Sequence, residues 1–98
     1  MELYAIRRKS GWQGPADLEK AAGISARIGD EEMPQDIRWI RSYVVKEEDG
    51  TLGTICIYEA SSPEKIREHA QRVGMPATTV HPIVDTVVVR PDPVAASV

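Results

Sequence analysis

Three features of this 98-residue chain predict an α+β fold of the ferredoxin-like βαββαβ type. Two helix-patterned segments each begin at a proline, a β-rich hairpin closed by Asp49-Gly50 lies between them, and a β-favouring run stands near each end. The order strand, helix, strand, strand, helix, strand suits a four-stranded antiparallel sheet with both helices on one face.

Residues Glu2 to Arg8 alternate loosely, Leu3 and Ala5 against Tyr4 and Ile6, and stop at Ser10-Gly11, which reads as a first strand and a turn. Gly14-Pro15 then opens a helix, since proline fits the first helical position, where its missing N–H costs nothing. Leu18, Ala21, Ala22, Ser25 and Ile28 fall on one stripe of that helix, which ends near Gly29 to Glu32 ahead of Pro34. The runs Ile37 to Val45 and Thr51 to Glu59 are rich in β-branched and aromatic residues, and the polar segment Lys46 to Gly50 joins them as an antiparallel hairpin. Its acidic tip, Glu47-Glu48-Asp49, is expected to be solvated. Ser61-Ser62-Pro63-Glu64 carries a capping hydroxyl, a first-turn proline and an early acid, so a second helix is expected from there to about Val73, ended by Gly74 and Pro76. Thr86 to Arg90 reads as the fourth strand, closed by Pro91-Asp92-Pro93.

Length allows one core, and the expected domain spans residues 1–93 with 94–98 as a flexible tail. Apolar residues at 42% and charged residues at 28% are globular values, but with two Trp, three Tyr and no Phe the interior is thin. Trp39, Tyr43, Val45, Leu52 and Tyr58 make the sheet too apolar for an open face, so a homodimer of the dimeric α/β barrel type is expected. A net charge of −3 with interspersed signs supplies no basic field for nucleic acid. No apolar run approaches the roughly 18 residues of a membrane span, and Met1 to Arg8 lacks signal-peptide order, so no membrane partner and a cytoplasmic address are expected. The single Cys56 excludes CxxC-type zinc and redox motifs, and no phosphate loop, GxSxG, HExxH or EF-hand pattern occurs.

His69 is the most informative position. Ile66, His69, Ala70 and Val73 form the buried stripe of the second helix, so the imidazole faces the sheet and needs partners for its nitrogens. It can serve as a metal ligand, a general base or a satisfied core histidine. Glu59 ends the third strand just before that helix, where a contact orienting His69 is geometrically reasonable. Cys56, three residues earlier, falls on the opposite face by strand parity and reads more readily as a small buried hydrophobe than as a thiolate. Arg41 and Tyr43 share one face of the second strand with Trp39 beside them, a place for an anionic ligand or for an ion pair across a dimer interface. His81, before Pro82, is expected to be extended and near the surface.

The segments W-I-R-S-Y-V, I-C-I-Y-E-A-S and I-R-E-H-A, followed by G-M-P-A, resemble a widespread bacterial family of small domains typified by a nickel-binding actinobacterial protein. The resemblance covers roughly Trp39 to Ala77 and is most specific over Ile66 to Ala70. It implies a homodimeric ferredoxin-like domain with a pocket involving Cys56, Tyr58 and His69, and nickel as the bound ion. One departure weighs against nickel: many members carry histidine where this chain has Arg41, and a guanidinium stays protonated and cannot ligate a metal.

Three functions follow as expectations. The first is a domain that binds a small ligand or a metal ion, with His69, Cys56 and Glu59 as the donor set, suited to nickel or zinc. The second is a cofactor-independent enzyme of the isomerase, cyclase or oxygenase type, with His69 as general base, Glu59 orienting it, and Arg41 and Tyr43 holding an anionic oxygen. The third is a ligand sensor or interaction module without turnover.

Overall fold

In a computed structural model, which describes residues 1–93, the chain forms β1 (Glu2–Trp12), α1 (Pro15–Arg27), β2 (Ile37–Lys46), β3 (Leu52–Ala60), α2 (Pro63–Val73) and β4 (Thr79–Pro82). The expectation for 94–98 lies outside the described residues. All neighbouring strands are antiparallel, in the order β2-β3-β1-β4, which is the expected βαββαβ sheet.

Local chemistry sets the ends of the elements. Pro15 starts α1 after an extended Gly14, and α1 passes at Ile28 into one π turn, Ile28–Glu32, in which Met33 N–H reaches Ile28 O at 3.0 Å. Such a turn uses i→i+5 bonding and lets the helix end without an abrupt break. Ser62 caps α2 by accepting from Lys65 N–H at 3.2 Å, Pro63 follows it, and Gly74 closes the helix in the left-handed region at φ 84°. In the β2–β3 turn, Gly50 takes a left-handed position at φ 88°, and Ser10 in β1 takes another at φ 49°.

Strand parity then sorts the faces. Tyr4, Ile6 and Arg8 of β1 pair with Tyr58, Cys56 and Thr54 of β3, and all six are buried beneath the helices. Ile28, Met33, Ile37, Ala60 and Ile66 extend that core. Leu3, Ala5 and Arg7 oppose Glu59, Ile57 and Ile55 on the other face.

Three expectations are corrected. The fourth strand is Thr79–Pro82, and Thr86 to Arg90 forms no strand: Val84, Val87, Val88 and Val89 are 70–97% exposed. Proline is tolerated in β4 because it is an edge strand, where one unmatched backbone position is harmless. The second correction concerns β2. Trp39 pairs with Tyr58 but Arg41 pairs with Ile57, so Ile40 is an extra residue that puts Trp39 on the helix side and Arg41 and Tyr43 on the open side. Trp39 and Tyr58, expected on the open face, thus stack against each other on the helix side, with ring centroids 6.0 Å apart. Third, Glu47 is not a solvated tip residue. Its carboxylate accepts from Arg7 Nη2 at 2.6 Å and from Ser10 N–H at 2.8 Å, which holds its pKa below the usual value.

Candidate functional site

Small side chains on α1 create the main cavity. Ala21, Ala22 and Ser25 face the sheet where longer residues would close the gap, leaving a cleft of about 520 Å³ between α1 and β1–β3. Leu18, Trp12, Trp39, Ile40, Val44 and Met75 give it mainly apolar walls, and Ser42, Thr54 and Cys56 add small polar atoms. Its volume falls in the range of ordinary small-molecule sites.

His69 is turned inward, as the helix stripe requires, and is 1% exposed. Nε2 lies 3.1 Å from Ser25 O. A carbonyl only accepts, so Nε2 carries the proton and Nδ1 is left as a buried lone pair without a partner. Burial lowers the pKa of the ring, opposed by the bond to Ser25 and assisted by the Arg8 and Arg72 charges. Tyr58 packs against the imidazole at 5.6 Å and bonds Ser25 Oγ through its hydroxyl at 3.0 Å. Burial also raises the Tyr58 pKa, so both rings are neutral near pH 7. Ser25 therefore ties α1 to α2 through its carbonyl and to β3 through its hydroxyl.

This arrangement differs from the expected pocket. His69 lines neither the main cleft nor the smaller cavity of about 120 Å³ beside Gly29 and Trp39, because Ser25 and Tyr58 stand between. Glu59 is on the opposite face of the sheet, 3.6 Å from Arg38, and does not meet His69. The reason is parity: Tyr58 occupies the helix side, so its neighbour cannot. Cys56 is buried in the cleft wall with Sγ donating to Thr54 Oγ1 at 3.2 Å. Arg41 and Tyr43 stay together on the open face, where both meet Asp92: the Tyr43 hydroxyl donates at 2.6 Å and Arg41 Nη1 stands 3.7 Å away. The Asp92 bond raises the Tyr43 pKa. His81 is exposed on β4.

The donor set expected for nickel does not fit a metal centre within one protomer. Among the described residues no three histidine, cysteine or acidic side chains cluster. The unpartnered Nδ1 is a single donor, with the Arg8 cation acting on the same ring. A nickel or zinc ion needs several donors and neutral or anionic surroundings.

The residue that sequence reasoning passed over is Arg8. It is 1% exposed, its Nη1 donates to Pro76 O at 2.7 Å, its guanidinium sits 5.7 Å from the Tyr58 ring centroid, and Nη2 has no partner. The signal was present: Tyr4, Ile6 and Arg8 share a period of two, which puts Arg8 on the buried face.

A family model described as nickel responsive protein SCO4226-like matches residues 4–83. The crystal structure of SCO4226 from Streptomyces coelicolor A3(2) superposes with a TM-score of 0.66 at 14% identity, covering 87% of this chain and 99% of that one. No curated protein matches.

Proposed function

Because the chain belongs to the SCO4226-like family of nickel responsive proteins, ion binding and small-molecule binding are the activities to weigh, and we propose that it is a homodimeric small-ligand-binding domain whose site is the cleft under α1. The observation that carries this reading is the cleft itself, a largely apolar cavity of about 520 Å³ with few polar groups in its wall. His69 supports the site from behind, fixing Ser25 and Tyr58 instead of touching the ligand.

The dimer part of the proposal rests on the opposite face. Tyr43 and Ile55 are more than a third exposed there, Leu3, Ala5, Val45 and Ile57 are only half-covered, and the valine-rich segment after β4 has little packing of its own. An apolar sheet face of this kind is stabilised by a second copy.

A fragment screen on isotope-labelled, tag-free protein tests the site. Shifts of amides at Leu18, Ala22, Ser42 and Val44 are expected, and shifts confined to the residues around His69, or none, would overturn it. Nickel titration separates the ion reading: His69→Ala should leave the heat of nickel binding unchanged. A site tighter than about micromolar that disappears with His69 would return the function to that ring.

A further inference from the structure

A largely apolar cleft with an unpaired cation in its wall selects its ligand by charge. Among the described residues, Arg8 has no carboxylate within ion-pair distance, although eight other basic and acidic pairings are satisfied in that way. The Pro76 carbonyl and the Tyr58 ring face compensate the guanidinium only in part, and Nη2 is left with nothing. A buried charge without a counterion is among the costliest groups a protein can hold. Unlike an aspartate or lysine, an arginine cannot escape that cost by changing its protonation state.

We infer that the cleft binds a monocarboxylate with an apolar body, its carboxylate pairing with Arg8 and its body lying between α1 and Trp39. The inference rests on the proposed cleft site and adds the ligand class. One unpaired guanidinium in apolar surroundings matches one negative charge, whereas a dianionic phosphate would import a second charge with no buried cation to meet it. Two other charged residues border the cleft, Glu19 and Arg41; both are exposed and of opposite sign, and Arg41 turns its side chain to the open face, where it meets Asp92. They do not change the balance at the inner wall. Trp12 and Trp39 both line the cavity, so their fluorescence reports its filling.

Octanoate, octanol and octylamine serve as probes of equal length and different charge, titrated against the full chain by tryptophan fluorescence and calorimetry. Octanoate is expected to bind at least about tenfold more tightly than octanol, and octylamine not at all. Arg8→Met should abolish the preference for octanoate while octanol still binds, and Ala22→Phe, which fills the cavity, should abolish both. If octanol binds as well as octanoate to the unaltered protein, the charge assignment is wrong and the cleft survives. If neither binds, or Ala22→Phe leaves binding intact, the cleft itself is not the site. The comparison of octanoate with octanol needs no variant, so a misfolded Arg8→Met would leave it decisive.

Discussion

His69 is held neutral by its surroundings, and that state has a consequence for stability. Burial lowers its folded pKa, while the unfolded ring titrates near its ordinary 6.5. As pH falls, the unfolded chain therefore takes up this proton first. The stabilisation is complete above the unfolded value and is lost as pH drops from there towards the folded one. Denaturation midpoints measured between about pH 7.5 and pH 5.5 should fall for the unaltered protein, and His69→Gln should flatten that slope. An unchanged slope in the variant would assign the effect elsewhere. Glu47, Asp49 and Glu68 do not confuse the reading, because hydrogen bonds hold each below its ordinary value of 4.5, 3.8 or 4.5, so their contributions are lost only at more acid pH.

At the scale of elements, α2 depends on its two ends. Ser62→Ala removes the hydroxyl that accepts from Lys65 N–H and should cost about 1 kcal/mol. Gly74→Ala forces a side chain into the left-handed region and should cost about 1–2 kcal/mol, read as a lower denaturation midpoint. Gly53 is constrained differently: a Cβ there would stand 2.6 Å from the backbone oxygen of Arg8, so Gly53→Ala should shift β1 against β3 and destabilise by more than either cap change. The two helices, the β2–β3 hairpin and both caps were legible in the sequence because each rests on local rules of period, proline and glycine. Two things were not. The bulge at Ile40 leaves no mark, since Trp-Ile-Arg has strand character in either register. The last strand was misplaced because β-branched residues at 86–90 outweigh Thr-Val-His-Pro by propensity, whereas pairing with β1 follows directly after the short connection from α2. The inward His69 was readable from helical spacing, but the cleft was not, because it depends on which small residues of α1 end up opposite the bulged strand.

For the whole molecule, the proposed dimer would use the open side of the sheet. Ile55 lies on the inner strand β3 with Tyr43 beside it on the edge strand β2, and Asp92 brings the segment after β4 across to β2, at the far edge from β4 itself. Light scattering on the eluting protein should give twice the chain mass, and Ile55→Lys should shift it to one, because the substitution places a charge in the face that the proposed dimer would cover. A monomer at concentrations of about 100 µM would remove the dimer from the proposal. Within one protomer the same sheet presents a ligand-sized gap on its helix side and a partly exposed apolar surface on its reverse, so the two proposals can be tested separately.

Ile40 makes that separation possible. Odd-numbered side chains of β2 point under the helices before it and away from them after it. Were Ile40 paired in the ladder instead of bulged out of it, everything downstream would be transposed: Tyr43 and Val45 would enter the interior, and Ser42 and Val44 would leave the cavity wall. The hydrogen-bonded ladder would persist while both surfaces exchanged their chemistry. How one residue is accommodated thus governs what each side of the hairpin displays, and a one-residue slip of register would trade binding volume for contact surface without altering the topology.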